Sequence, residues 1–189
     1  MLSTPMVTIQ VGPSQRSFYI HHELLCRYSL FFRDKLRNSS DHGGQGTVIS
    51  LEDDHETSFA VFAEWLFLGE DCDTGKILED TLMDSQNGTG TGTGTGKTMR
   101  TTAHDPYDFS LQFRCYQLAD KLQAPGFKNQ IMEEIQYHGE FCDRELPTME
   151  QLQFVHERFG RDDPLWRFCV NVKRWDSRFR DAFGDSGSI

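Results

Sequence analysis

The chain has 189 residues, of which 37% are hydrophobic and 15 are phenylalanine, enough apolar material for the core of one domain with or without an appendage. Its formal net charge of -10 disfavours nucleic acid or an anionic membrane as partner, because phosphate groups are bound by clustered Lys and Arg. The five cysteines are scattered and form no C-x-x-C pair, so the sequence predicts neither a disulfide framework nor a zinc ribbon.

The N-terminal stretch "MLSTPMVTIQV" lacks the charged-then-apolar pattern of a signal peptide. The most apolar window, "FAVFAEWLFLG", is far shorter than the roughly 20 residues that cross a bilayer. We therefore expect an intracellular protein, cytoplasmic or nuclear, without a membrane partner.

The first 51 residues predict three strands and two short helices. Val7, Ile9 and Val11 alternate with polar residues, which is typical of a half-buried strand. "GPSQ" predicts a turn into a second strand, "SFYI", so the pair forms a hairpin. "HHELLCRY" and "SLFFRDKLRN" predict two short helices that separate near Ser29, and "TVISL" predicts a third strand.

A buried helix follows. Asp53 stands three residues before Glu56, a spacing that predicts a capping box. From Phe59 to Leu68 the sequence is apolar nearly all round, so this helix should be buried on most sides, and Gly69 should end it.

Residues 70–104 interrupt this pattern. Their first half is acidic and their second half is a Thr-Gly repeat, which cannot bury enough surface to offset its ordering entropy. We expect a flexible insertion, with at most a weak amphipathic turn or two around Ile77, Leu78, Leu82 and Met83.

Four further helices are predicted after this insertion. Asp105-Pro106 and Asp163-Pro164 each place a capping residue before a proline at the first helical position, Thr148 and Gln151 form a capping box, and Pro125-Gly126 separates two helices. The residues expected to face inward are Leu111, Cys115, Leu118, Leu122, Phe127, Ile131, Ile135, Leu152, Val155, Phe159, Leu165, Phe168, Val172, Trp175 and Phe179. Few strands followed by many helices predict an α+β fold.

The segment Gly88–Thr98, "GTGTGTGTGKT", ends like a nucleotide-binding P-loop. That motif needs a glycine five positions before Gly96, where this chain has Thr91, and it needs a buried strand before it and a helix after it. The flanking segments "LEDTLMDSQN" and "MRTTAHD" predict neither element. A nucleotide-binding protein that uses Gly88–Thr98 therefore remains a remote alternative.

No catalytic or metal-binding constellation emerges from the sequence. "HELLC", "HETSF" and "HERFG" all lack the second His that a zincin requires at the fifth position, and no Gly-x-Ser-x-Gly elbow occurs. His22 and Cys26 can meet on one helix face, but a structural zinc site needs four ligands and no second pair is nearby. The sequence predicts no enzyme, no cofactor, no metal and no small-molecule substrate.

Three blocks of the chain resemble the BTB/POZ domain. "FYIHHELLCRYSLFFRDKL" is similar to the family's first signature, "VISLEDDHETSFAVFAEWLFLGE" to its second, and "CYQLADKLQAPGFKNQIMEEI" to its third, in the family's order. The matching positions, which we expect to be structural, are His21, Leu24, Leu25, Ser29, Phe31, Phe32, Leu36, Trp65, Leu66, Gly69, Leu118, Ala119 and Leu122. The layout is most similar to short stand-alone fungal BTB proteins.

The resemblance implies a BTB/POZ domain over residues 6–138, with its insertion at 70–104, then a helical extension over 139–180 and a tail over 181–189. It implies a small sheet packed with a helical cluster, and protein partners: a second copy of the chain, or a cullin scaffold for which the domain is a substrate adaptor. The alternative is a stand-alone homo-oligomerisation module. We expect the ring of His21 to cap the following helix or to satisfy backbone groups rather than to bind a metal. We expect Trp166 and Trp175 either to pack between helices or to anchor a partner.

Overall fold

The computed structural model describes residues 5–38, 47–86, 109–141 and 147–173. Within these ranges the chain forms three strands and eight helices, so the predicted α+β class is confirmed. In chain order the elements are β1 (Met6–Val11), β2 (Arg16–His21), α1 (His22–Tyr28), α2 (Leu30–Asn38), β3 (Val48–Leu51), α3 (Glu56–Leu68), α4 (Thr74–Gln86), α5 (Ser110–Lys121), α6 (Pro125–Phe141), α7 (Met149–Arg158) and α8 (Pro164–Lys173).

The three strands form one sheet in the order β2-β1-β3. Strand β1 pairs with β2 as the predicted antiparallel hairpin and with β3 in parallel, so α1 and α2 make the crossover. The alternating residues Val7, Ile9 and Val11 are buried on the inner face, as predicted. Phe18 of β2 meets Phe59 of α3 edge-on, with ring centroids 4.9 Å apart, and this contact joins the sheet to the buried helix.

The capping box predicted at the start of α3 is wrong. The helix is preceded by His55, which makes no side-chain cap. The carboxylate of Glu56 instead accepts a hydrogen bond from the hydroxyl of Ser14 (2.6 Å), in the turn between β1 and β2. Asp54 forms an ion pair with Lys121 of α5 (2.6 Å). Spacing alone cannot show that these carboxylates have distant partners, because the turn and α5 come close only in the fold.

The two short helices separate at Ser29, as predicted. Ser29 is buried, and its hydroxyl donates to the carbonyl of Leu122 (2.5 Å) while accepting from the amide of Phe32 (3.2 Å). The amide of Leu30 donates to the carbonyl of Gln123 (3.2 Å), so the break between α1 and α2 is held against the end of α5. Of the two roles expected for His21, capping of α1 is wrong, because its side chain makes no capping hydrogen bond.

The acidic part of the predicted insertion is a helix rather than a flexible loop. Helix α3 ends at Gly69, which has a φ of 87°, as its position predicts. Helix α4 then runs for 13 residues from Thr74 and buries Ile77 and Leu78 against α3 and α6. A weak amphipathic pattern is sufficient to form this helix because α4 packs against the apolar surface of α3 and α6. The Thr-Gly repeat lies outside the described residues.

Several carboxylates meet where α4 contacts α6. Glu134 of α6 is half-buried and receives a hydrogen bond from the backbone amide of Gly75, in the first turn of α4. Burial is the main cause that raises the pKa of Glu134, and the negative charges of Asp73, Glu79 and Glu133 raise it further, while the amide bond lowers it. His138 lies 3.8 Å from the same carboxylate. The ionised form of Glu134 is therefore disfavoured in the folded protein.

Replacing Glu134 by glutamine should stabilise the fold at pH 7 by about 0.5 kcal/mol, the size of a like-charge contact. A carboxyl group whose pKa is raised on folding contributes stability below its unfolded pKa and loses it as the pH rises through the folded pKa. The gain from Glu134→Gln should therefore shrink as the pH is lowered towards 4. Thermal melts between pH 4 and 8 test this, with Glu64→Gln as the matched control, since Glu64 is exposed on α3 and is not among the charges that raise the pKa of Glu134. A Glu134→Gln variant less stable than wild type at pH 7 would contradict it.

The C-terminal helices form largely as predicted. Asp105-Pro106 lies outside the described residues, and α5 is described from Ser110. Thr148 and Gln151 form the predicted capping box, with the Thr148 amide 2.8 Å from the Gln151 side chain. Asp163 accepts from the amide of Leu165 (2.8 Å) at the start of α8. Trp175 and Phe179 lie outside the described residues.

The helical extension shares one core with the N-terminal part. The extension side chains with no exposed surface are Leu152, Val155, Leu165 and Cys169. The hydroxyl of Tyr116 in α5 donates to Asp163 (3.1 Å), and Gln151 in α7 donates to Ser110 (3.1 Å). Helix α6 continues to Phe141, past the domain boundary predicted at residue 138.

Candidate interaction surfaces

The predicted signature residues form the interior of the fold. Leu24, Phe31, His21 and Gly69 are half-buried. The fully buried positions are Leu25, Ser29, Phe32, Leu36, Trp65, Leu66, Leu118, Ala119 and Leu122. The fully buried side chains are packed in the core and present no surface for a contact with another molecule.

The three signature blocks, distant in sequence, meet around Trp65. Its indole ring lies 5.2 Å from the ring of Tyr28 in the first block and 5.3 Å from that of Phe127 in the third, measured between centroids. The indole N–H donates to the side chain of Gln130, and the hydroxyl of Thr74 donates to the same oxygen (3.2 Å). One tryptophan therefore connects the first helix pair, the buried helix and α6.

An open groove of about 380 Å³ lies between α5 and α7, where the extension meets the core. We call it the seam groove, and its lining residues are Ser110, Phe113, Arg114, Thr148, Glu150, Gln151 and Phe154. Phe113 is buried, and Phe154 is half-buried beneath the guanidinium of Arg158, 4.3 Å from the ring centroid. The sequence predicted none of these residues as a site, because the groove arises from the packing of two helices.

The seam groove is lined by charged as well as aromatic residues. Arg114 and Glu150 are both exposed, and neither forms an ion pair with another described residue. Burial lowers the pKa of His55, and the positive charge of Arg114 lowers it further, so this imidazole is neutral at pH 7. The groove thus combines aromatic surface with one cation and one anion.

The outer face of the sheet carries a second exposed surface. Thr8 of β1 is paired with Tyr19 of β2 on one side and with Val48 of β3 on the other, so the three side chains lie in one row. We call Tyr19, Thr8 and Val48 the sheet row. Tyr19 is 64% exposed and Val48 55% exposed, and Met6 lies beside them at 43%.

Trp166 is not an exposed anchor. Only 9% of it is accessible, and the ring of His156 covers it at a centroid distance of 4.8 Å. Of the two interpretations open for this residue, helix packing is the one that the structure confirms. Two neighbouring apolar residues at the end of α3, Phe67 and Leu68, are more than half exposed instead.

Reactive chemistry is sparse among the described residues. Burial raises the pKa of the Cys115 thiol to about 12 and also raises the pKa of Cys26 and Cys72, so these thiols are protonated at pH 7. Cys26 lies 3.7 Å from His22, as their spacing predicted, but no group of three potential metal ligands occurs in the described ranges. The segment Gly88–Thr98, on which the nucleotide-binding alternative rests, lies outside them.

No helix in the described part of the chain has both the length and the apolar character that a membrane crossing requires. No model of a known protein family matches the sequence, and no curated protein matches it either. The seam groove and the sheet row are therefore the features of this structure that bear on its function.

Proposed function

We propose that this protein is a non-enzymatic protein-interaction module of the BTB/POZ type, and that it acts as a substrate adaptor for a cullin-based ubiquitin ligase. The proposal is supported by the three signature blocks, which resemble that family and pack around Trp65 in one core. The small sheet with a helical cluster is compatible with such a domain.

The seam groove is the observation that carries the adaptor proposal. A docking site must hold its shape before the partner arrives, because ordering flexible side chains on binding reduces affinity. The groove meets this requirement: Gln151 is fixed to Ser110, and Leu152 and Val155 on the same helix are buried. The cullin would insert an apolar side chain between Phe113 and Phe154 and an acidic one against Arg114.

Mixing the protein with a cullin N-terminal domain should give a stoichiometric complex in size-exclusion chromatography with light scattering. Arg114→Glu should weaken this complex at least about tenfold, because it places an anion where the partner's acidic group binds. Arg161→Glu changes the charge of another exposed arginine outside the groove and serves as the matched control. A wild-type protein that ignores every cullin tested would rule out the ligase role.

The second candidate function is self-association as a scaffold without a ligase role. The exposed sheet row favours it, because Tyr19 and Val48 present apolar surface on a sheet in which no described strand pairs with the outer side of β2. A homo-oligomer that does not bind a cullin would select this candidate over the adaptor.

A further inference from the structure

Strand β2 is the edge strand of the described sheet, and no other described strand pairs with its outer hydrogen-bonding side. The amide of His22 donates to the carbonyl of Pro5 (3.0 Å), so these two residues form a hydrogen-bonded pair. Hydrogen-bonded and non-hydrogen-bonded pairs alternate along an antiparallel ladder, so this bond shows which residues of β2 bond to β1. In this alternation Phe18 and Ile20 direct their backbone groups towards β1, and Ser17 and Tyr19 direct theirs away from the sheet. No described residue pairs with the outward N–H and C=O groups of Ser17 and Tyr19.

The residues of β2 also lack the features that usually keep an edge strand from pairing with a second chain. Edge strands are commonly blocked by Lys, Glu, Pro, a bulge or a covering segment. Strand β2 contains no lysine, carboxylate or proline, and its single formal charge, Arg16, stands at its first position with the guanidinium directed over the Phe18 ring (5.1 Å).

The charge distribution indicates which partner fits. The whole chain carries 29 acidic residues, yet none occurs between residues 1 and 22, and β3 has none either. The strands therefore contribute no carboxylate on a protein whose formal net charge is -10. Two carboxylates that contact the sheet region do so at β3 and at the β1–β2 turn rather than on β2: Glu52 accepts from Ser50, and Glu56 accepts from Ser14. Two copies of so acidic a chain repel each other over most of their surfaces, and the sheet is where that repulsion is least.

We propose that two copies of this chain associate through strand β2, paired antiparallel about a two-fold axis at Phe18. In this register Ser17 of one copy faces Tyr19 of the other, and the outward backbone groups of both residues form four hydrogen bonds across the axis. Each large Tyr19 side chain packs over the small Ser17 side chain of the second copy. The two sheets become one of six strands, and the two sheet rows become neighbours on its outer face.

This inference rests on self-association, the second proposed function, and it names the interface. A two-fold antiparallel arrangement is self-complementary, as closed dimers require. The seam groove lies on α5 and α7, so β2 pairing uses none of its residues.

The test is the molar mass of the full chain from light scattering over a series of concentrations, with circular dichroism to confirm folding. Wild type should approach twice 21.8 kDa. Ser17→Pro should weaken the dimer at least about tenfold, because it removes only an outward N–H, whereas Ser17→Ala keeps that N–H and should leave the dimer intact. Tyr19→Lys, an independent side-chain change, should also weaken it, whereas Tyr137→Lys, on α6 with a similar exposure, should not.

A wild-type protein that stays monomeric at the highest concentration would overturn the proposal and self-association together. A wild-type dimer that neither folded Ser17→Pro nor Tyr19→Lys weakens would overturn the β2 interface while self-association stands. If Ser17→Pro fails to fold, Tyr19→Lys against Tyr137→Lys decides the outcome. Cullin binding by Tyr19→Lys should equal that of wild type, so this test and the adaptor test fail separately.

Discussion

Trp65→Ala should lower the free energy of unfolding by about 4 kcal/mol, the cost of removing a large buried aromatic side chain from a packed core. Only 1% of Trp65 is exposed, and its ring contacts Tyr28, Phe62 and Phe127. The substitution also removes the indole donor to Gln130, which then keeps a single side-chain donor, Thr74. Because a small domain is stable by roughly 5–15 kcal/mol, this loss is a large fraction of the total and should lower the melting temperature clearly.

Urea unfolding followed by circular dichroism measures this loss without depending on tryptophan fluorescence. Trp65→Phe keeps most of the ring contacts and removes the N–H, so its cost should be nearer about 1–3 kcal/mol. Phe67→Ala, two residues further on the same helix but 54% exposed, should change stability by no more than about 0.5 kcal/mol. A loss below 1 kcal/mol for Trp65→Ala would contradict the central position of this residue.

The second large effect is expected for Gly139→Ala. The sign of its effect on the free energy of unfolding distinguishes the gain in helix propensity from a steric clash. Alanine normally stabilises a helix interior relative to glycine by about 0.5–1 kcal/mol. A Cβ atom at Gly139 of α6 would lie 2.4 Å from Cζ of Phe168 in α8, and Phe168 is only 8% exposed. The ring cannot leave its site without opening the contact between α6 and the extension, so Gly139→Ala should destabilise the protein by about 1–3 kcal/mol.

A double-mutant cycle separates this clash from other effects. Phe168→Leu shortens the side chain at the point of contact, so Gly139→Ala should cost much less in the Phe168→Leu background than in wild type. Gly160→Ala is a control, since nothing lies within 4 Å of a Cβ atom at that position. If Gly139→Ala stabilises the protein, or costs the same in both backgrounds, the close packing of α6 against α8 is wrong.

The element pattern was largely readable from the sequence because it depends on local periodicity. The alternation of Val7, Ile9 and Val11 predicted β1, and the capping box at Thr148 and Gln151 is present as predicted. The capping box at Asp53 and Glu56 failed, since the helix starts after His55 and the Glu56 carboxylate binds Ser14, in the distant turn between β1 and β2. A spacing rule describes which local contact is possible and contains no information on competing distant ones.

Helix α4 also shows that a local pattern contains no information on distant contacts, here contacts that stabilise a helix. Its sequence has a weak apolar pattern, and isolated helices of this length are marginal in water. Burial of Ile77 and Leu78 against α3 and α6 supplies the missing stabilisation. The weak local signal was therefore an accurate description of the isolated segment and a poor one of the folded chain.

The sequence by itself determined the α+β class, most of the helices and strands, and which residues form the core, because these follow from the spacing of apolar residues and from the chemistry of turns and caps. Tertiary structure alone decided where the two candidate interaction surfaces lie. The seam groove exists because α7 packs beside α5, and the sheet row exists because strand pairing brings Tyr19, Thr8 and Val48 to one line. Neither surface leaves a local pattern, since its members come from segments that only folding brings together.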